Sequence, residues 1–186
     1  MKISILSQLL VFTLLSSSLL TAESSSYIGI KVGSLSSDKS VYALEDDEEY
    51  HINTYIKYDD VSLLGLDFYS ISRYENSLLI GLGVDLMLNK GNILEGGMLD
   101  IDFKLGAYYE DFSAYAIIGY GIQSLSNYTV AHGVYYGGAI NYDLLESLAV
   151  KVEYRIHNLE TTDNEDTTSS QSYVLSGVLA ALAYKF

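Results

Sequence analysis

The chain contains no cysteine, no proline and no tryptophan among its 186 residues. The absence of cysteine excludes disulfides, thiolate chemistry and a lipid anchor attached to cysteine. Basic residues are scarce, since 10 Lys and Arg stand against 24 Asp and Glu, giving a formal charge of −14. This balance excludes nucleic acid as an expected partner, because nucleic-acid binding requires a basic stripe.

Long apolar runs are also lacking after residue 22, so no helix of the ~18 residues needed to cross a bilayer is predicted there. Residues 1–22 have a basic start at Lys2 and an apolar stretch that ends before Ala22, which is typical of a cleaved secretory signal. The alternative is a membrane anchor, but the serines at 16–18 interrupt the run. The remaining segment, 23–186, has the length of one domain.

The chain is rich in residues that suit β-strands, with 18 Tyr, 15 Gly and 49% apolar residues. Polar and apolar residues alternate over segments near the ~9 to 11 residues of a tilted transmembrane strand. In segment 98–109, for example, Leu99 and Ile101 share one face and Asp100 and Asp102 the other. A soluble β-sandwich has the same alternation, so this pattern alone leaves both architectures open.

Nine segments alternate in this way: 26–34, 50–58, 62–71, 77–88, 98–109, 113–123, 133–142, 148–158 and 173–186. A single-chain bacterial barrel has an even strand count. We therefore treat His51–Tyr58 either as part of the first extracellular excursion or as an extension of the second strand beyond a bulge near Asp59 and Asp60. Eight strands result, and ten is the alternative if the 35–49 stretch contains another.

The connections alternate between long polar loops and tight turns, which is typical of outer-membrane barrels with extracellular loops and short periplasmic turns. The predicted loops are 35–60, 89–97, 124–132 and 159–172, and the predicted turns are 110–112 and 143–147.

Three short motifs carry a resemblance to a known family: Tyr27–Ile30, Gly119–Gly121 and the terminal Ala183–Phe186. Over nearly all of 23–186 the chain resembles the small OmpA-like and OmpX-like barrels, the outer membrane beta-barrel domain proteins. The resemblance implies an eight-stranded antiparallel transmembrane β-barrel in a Gram-negative outer membrane, surrounded by lipid and lipopolysaccharide. It also implies that Tyr184 and Phe186 form the signal that the barrel assembly machinery reads.

Assigning the polar face of each strand to the lumen predicts a network of five acids and five bases: Lys31, Asp67, Asp85, Asp100, Asp102, Lys104, Lys151, Glu153, Arg155 and Lys185. Eight-stranded barrels are just wide enough to be filled by side chains, and buried charges need partners. We therefore predict a plugged lumen in which Asp100 or Asp102 pairs with Arg155, directly or through neighbouring charges. The alternative is a small porin-like pore, which more naturally carries one sign of charge along its track.

Other chemistry receives little support from the sequence. Acidic residues cluster at Glu45–Glu49 and again at 163–166, where they form either a solvated surface or a divalent-cation site. The three histidines share no metal-ligand spacing, and we predict no metal or cofactor. His157 is faintly similar to the histidine of lipid A deacylase barrels, but no serine closely follows it, so we predict no catalysis.

The predicted role is therefore structural or involves surface interaction, with any ligand or host partner bound through the extracellular loops. A small transport barrel is the first alternative and a lipid A-modifying enzyme the second.

Overall fold

The computed structural model describes residues 22–43, 54–75, 77–90, 96–124, 130–161 and 169–186. They form a closed antiparallel barrel in which each strand pairs with its neighbours in sequence and β1 pairs with β8. The strands are β1 (Glu23–Ala43), β2 (Thr54–Arg73), β3 (Leu78–Lys90), β4 (Gly96–Tyr109), β5 (Phe112–Ser124), β6 (Val130–Leu145), β7 (Leu148–Thr161) and β8 (Ser169–Lys185). The prediction of eight strands is confirmed. No helix in these ranges is long and apolar enough to span a membrane.

The second strand includes the segment whose assignment was ambiguous in the sequence. β1 and β2 pair from Glu23–Arg73 to Val41–Thr54, with a shift in register between Leu35 and Ser37. Asp59 and Asp60 have no partner across this shift. The bulge predicted there is present, and residues 54–58 extend β2 as the second of the two interpretations proposed. Residues 35–43 continue β1, so the ten-strand alternative is wrong.

The strands extend further into the predicted loops than alternation indicated. Strand residues occupy 35–43 and 54–60 of the first predicted loop, and 159–161 and 169–172 of the last. Serine-rich stretches carry no apolar alternation, but β1 is hydrogen-bonded to a strand on each side there, and those ladders hold it extended. The predictions that 35–60 and 159–172 are loops throughout are therefore wrong.

The barrel has two distinguishable ends. Short turns at Glu110–Asp111 and Glu146–Ser147 lie at one end, called here the turn end. The predicted turn 143–147 is shorter in the structure because β6 continues to Leu145. The opposite end, where β1 ends at Ala43 and β7 ends at Thr161, is called the loop end. Residues 44–53 and 162–168 lie outside the described residues.

The outer wall is apolar on every strand. Alternate residues of a strand point to opposite faces of the sheet, and the outward positions are exposed aliphatic and aromatic side chains. They include Ile30, Val32, Leu64, Leu66, Leu88, Ile101, Phe103, Leu105, Ile118, Ile122, Val134, Ile140, Val152, Val178 and Leu182. Such a band, on a closed sheet whose polar residues face inward, is the surface of a barrel that spans a lipid bilayer.

Outward aromatic residues gather at the turn end, where Tyr109, Phe112, Tyr142, Tyr184 and Phe186 are all exposed. Tyr184 and Phe186 stack with ring centroids 6.5 Å apart. The backbone of Phe186 pairs with that of Ser26, with N–O distances of 3.0 and 3.2 Å. This arrangement matches the aromatic belt found at membrane interfaces.

The lumen is filled in three sections. Nearest the loop end is a cluster called the apolar layer: Leu35, Val61, Leu63, Met87, Met98, Ala131, Leu159, Tyr173, Leu175 and Leu179. Nearer the turn end is the aromatic layer: Tyr27, Tyr69, Ile71, Leu79, Tyr115, Ile117, Tyr135, Ala139, Ala149 and Ala183. Charged side chains lie between the two, as β2 illustrates with Leu63, then Asp67, then Tyr69 and Ile71.

Candidate functional site

The structure places all ten of the predicted charged side chains in the lumen. Nine of them are at most 3% exposed and form the charge network: Lys31, Asp67, Asp85, Asp100, Asp102, Lys104, Lys151, Glu153 and Arg155. The tenth, Lys185, lies apart from them at the turn end.

Strand register brings three carboxylates side by side on one wall. Asp67 of β2 is directly opposite Asp85 of β3, which is directly opposite Asp100 of β4. Adjacent like charges across a sheet are destabilising. Their counter-charges come from other strands of the barrel, since Lys31 lies on β1 and Arg155 on β7.

Two lysines neutralise the β2 and β3 part of this wall. Lys31 Nζ lies 2.7 Å from Asp85 Oδ2, 3.0 Å from Glu153 Oε2 and 3.4 Å from Asp67 Oδ1. Lys151 Nζ lies 2.5 Å from Asp67 Oδ2 and 2.7 Å from Glu153 Oε1. The two lysines thus share Asp67 and Glu153, and no member of this group depends on a single partner.

Arg155 connects the largest number of carboxylates. Its Nη2 lies 2.5 Å from Asp85 Oδ2, 2.7 Å from Glu153 Oε2 and 3.4 Å from Asp102 Oδ2. Its Nη1 donates to Asp100 Oδ2 at 3.0 Å. Arg155 therefore contacts both of the aspartates with which the sequence paired it, and joins strands β3, β4 and β7 by ionic contacts.

The remaining members of the site surround the β4 carboxylates. Lys104 contacts Asp102, and Tyr135 Oη donates to Asp102 Oδ2 at 3.1 Å. His157 Nε2 lies 2.9 Å from Asp100 Oδ2, and its ring stacks on Tyr135 with centroids 4.6 Å apart. Because His157 is fully buried in the lumen, its side chain is turned away from the lipid on which a lipid A-modifying enzyme would act.

Glycines on β5 provide the space for these side chains. Gly121 is directly opposite Asp100 and Gly119 directly opposite Asp102. A Cβ atom at Gly121 would lie 2.6 Å from Asp100 Oδ1, and one at Gly119 would lie 2.6 Å from the Tyr135 ring. A side chain at Gly121 would displace the Asp100 carboxylate, and one at Gly119 would displace the Tyr135 ring, so both glycines belong to the site.

A second polar cluster closes the lumen at the turn end, centred on Asp143. Its Oδ2 accepts from Lys185 Nζ at 2.7 Å and from Arg73 Nη2 at 3.0 Å. Tyr27 Oη donates to the same carboxylate at 3.3 Å, and Asn141 Nδ2 at 3.0 Å. One carboxylate thereby links β1, β2, β6 and β8.

Sequence reasoning missed most of this cluster because it placed strand ends too early. The alternation predicts that Asp143 lies in a turn and that the second strand ends two residues before Arg73, so it predicts no facing direction for either side chain. The facing direction of both side chains could have been predicted from odd and even residue numbers, because alternate residues of a strand point to opposite faces. Arg73 has the same parity as Asp67, and Asp143 the same parity as Asn141, which places each on the lumenal face.

Metal binding gains no support from the described residues, in which no group of three or more His, Asp or Glu side chains is arranged to hold an ion. The acidic segments Glu45–Glu49 and 163–166 lie outside the described residues, so the divalent-cation site stays a prediction.

No family model and no curated protein matches the chain. Among solved structures, the outer membrane protein OprG from Pseudomonas aeruginosa is similar with a TM-score of 0.50 at 14% identity, covering 89% of this chain and 97% of OprG. This chain has the fold of a small outer-membrane β-barrel.

Other barrels are similar at lower scores. The outer membrane protein AlkL has a TM-score of 0.48 at 13% identity, covering 91% of this chain and 93% of AlkL. Ail of Yersinia pestis, an attachment invasion locus protein, has a TM-score of 0.39 at 13% identity, covering 86% of this chain and 98% of Ail. At such identities the likeness concerns the fold alone.

The contacts of Arg155 predict a strong energetic coupling with Asp100. Arg155→Leu should lower the free energy of unfolding by ~3 to 5 kcal/mol, because buried carboxylates lose their guanidinium partner. Asp100→Asn combined with Arg155→Leu should cost less than the sum of the single changes. Urea unfolding of the barrel in detergent micelles measures all three variants, and Lys90→Leu, at an exposed position near the loop end, should leave stability unchanged. Additive losses would exclude the coupling.

Proposed function

We propose that the protein is a non-conducting barrel of the Gram-negative outer membrane that displays an interaction surface outside the cell. The lipid-facing wall and the fold of a small outer-membrane β-barrel support this location. The outer leaflet would then supply lipopolysaccharide as the surrounding lipid, and no catalytic step or cofactor is part of the proposal.

The observation that carries the proposal is the filling of the lumen. The apolar layer, the charge network and the aromatic layer follow one another along the barrel, and the Asp143 cluster lies beyond them at the turn end. Side chains from β1, β2, β3, β4 and β7 meet at the centre through ionic contacts. A barrel filled in this way is a scaffold, and its activity is expected on the parts that project from the membrane.

The strands at the loop end support a surface role. Residues 36–43 of β1, 54–61 of β2 and 169–171 of β8 continue the sheet beyond the last pairs of β2 with β3 and of β7 with β8. In the described part of the chain, no strand pairs with 54–61 on the side away from β1. An unpaired strand edge is a template for an extended segment of another protein, so this projecting sheet is where we place the contact with a surface ligand or host partner.

The terminal aromatic residues support a second part of the proposal, which concerns assembly. Tyr184 and Phe186 lie on the outer wall at the turn end, 56% and 67% exposed. Their position leaves both rings accessible from the lipid side, as recognition by the barrel assembly machinery would require.

The orientation of the barrel predicts which segments can be labelled on cells. Epitope tags inserted at Asp47 and Asn164, which lie outside the described residues, should bind antibody on intact cells because the loop end faces the exterior. A tag at Glu110–Asp111 is the matched control and should bind only after the outer membrane is permeabilised. The reverse pattern would invert the topology.

Conductance separates the proposal from its main alternative. The purified protein in a planar lipid bilayer should produce no current steps, because side chains fill the lumen. An established porin reconstituted in the same membrane is the positive control. Stable current steps from this protein would favour the small pore and overturn the non-conducting role.

Deletion of Phe186 tests the assembly signal. Secretion should continue, but the folded species that migrates differently on unheated SDS gels should decrease. Phe112→Leu, which changes another exposed aromatic residue at the turn end, should fold in the normal yield. An unchanged folding yield after deletion of Phe186 would exclude it as part of the signal.

A further inference from the structure

A groove of about 720 Å³ crosses the outer wall near the loop end. It is open above Gly97, where an added Cβ atom would meet no atom closer than 3.9 Å. Apolar side chains from five strands line it: Leu64 and Leu66 of β2, Leu88 of β3, Leu99 of β4, Ile122 of β5 and Val130 of β6. The missing side chain of one glycine thus leaves a hydrocarbon-lined depression in a wall that faces lipid.

The groove reaches the bilayer boundary on its loop-end side. Alternate residues of a strand face the same way, and the outward row changes from Leu64 to Ser62 on β2 and from Leu88 to Lys90 on β3. Ser62 and Lys90 are directly opposite each other, and both are exposed. A barrel shows this change from hydrocarbon to polar side chains where its wall leaves the apolar band. The ammonium group of Lys90 therefore lies at headgroup depth beside the groove.

A second basic residue flanks the groove on β6. His132 is directly opposite Ile122 and two residues from Val130, and both of these line the groove. Its Nδ1 lies 2.6 Å from Tyr120 Oη, and tyrosines are enriched at membrane interfaces. Glu160 is directly opposite His132 on the side away from the groove, so Lys90 supplies the stronger attraction for an anion.

These two basic groups distinguish the groove from the rest of the outer wall. Among the side chains that the structure describes, the other Lys, Arg and His residues lie in the lumen or in the Asp143 cluster. A basic group near the membrane surface attracts anionic lipid headgroups. An apolar groove with an ammonium group at its headgroup end complements a lipid that joins acyl chains to phosphate.

We propose that this groove is a binding site for lipopolysaccharide, with one acyl chain of lipid A in the groove and a lipid A phosphate at Lys90. The proposal rests on the proposed function, in which the loop end faces the exterior and its wall lies in the outer leaflet. It goes beyond that function because it assigns one position on the wall to one lipid, whereas general solvation by the bilayer assigns none.

Filling the groove is the first test. Gly97→Phe places a ring in the open space, and Gly138→Phe is the matched control, since Gly138 also lies on the outer wall and a Cβ atom there would meet no atom closer than 3.7 Å. The folded proteins in detergent micelles are mixed with purified bisphosphorylated lipid A, and the lipid retained after gel filtration is measured by mass spectrometry. Gly97→Phe should lose most of the bound lipid A, and Gly138→Phe should retain as much as the wild type.

Removing the charge is the second test. Lys90→Gln should weaken lipid A binding about fivefold, the effect of one basic residue near an anionic surface. Dephosphorylated lipid A should bind Lys90→Gln and the wild type equally, because neither pair has a phosphate to contact. Equal binding of phosphorylated lipid A by Lys90→Gln and the wild type would exclude the phosphate contact.

Heat-modifiable migration on SDS gels establishes that each variant is folded. If Gly97→Phe does not fold, Leu88→Ala is compared with Leu182→Ala, another exposed leucine of the outer wall, and only Leu88→Ala should lose lipid A. The proposal is overturned if filling or trimming the groove leaves retention unchanged, or if phosphatidylglycerol binds as tightly as lipid A. Conductance by the wild type would overturn the proposed function and leave these binding results as they stand.

Discussion

Charged side chains inside this barrel cannot reach bulk water through a wall that faces lipid, so each must find its partners within the lumen. Arg155 meets this requirement by contacting four carboxylates: Asp85, Asp100, Asp102 and Glu153. A shift of β7 by one residue would turn Arg155 and its strand neighbours Lys151 and Glu153 toward lipid. The ion pairs therefore select one strand register, and the rest of the barrel depends on it.

Small residues lie beside several of the charged side chains in the sheet. Ala181 of β8 lies between Lys31 and Lys151 in the sheet, and its small side chain is buried on the same lumenal face. Gly121 of β5 lies directly opposite Asp100 of β4, and a Cβ atom there would lie 2.6 Å from Asp100 Oδ1. Small residues thus lie next to charged ones in the sheet. A large residue at Ala181 or Gly121 would disrupt contacts made by the neighbouring strands.

The face of the sheet on which each side chain lies could be predicted from the sequence. In β4, apolar Leu99, Ile101 and Phe103 alternate with Asp100 and Asp102, and this pattern assigns each residue a face without reference to a neighbouring strand. Strand ends were less predictable. The serines after Leu35 give no alternation, and β1 continues there only because β2 and β8 hydrogen-bond to it. Pairings across the lumen, such as Lys151 with Asp67, depend on the registers of several strands together and have no local signal.

The pairing of Ser26 with Phe186 has a kinetic consequence. It joins residues near the two ends of the described chain, and it completes the ladder that closes the barrel. Contacts of such large sequence separation make folding slow, because the intervening chain must be ordered before they form. Before β8 pairs with β1 and β7, a sheet of the other strands has two unpaired edges. Closure therefore requires the pairing of β8 with β1, and until it forms the open edges favour aggregation.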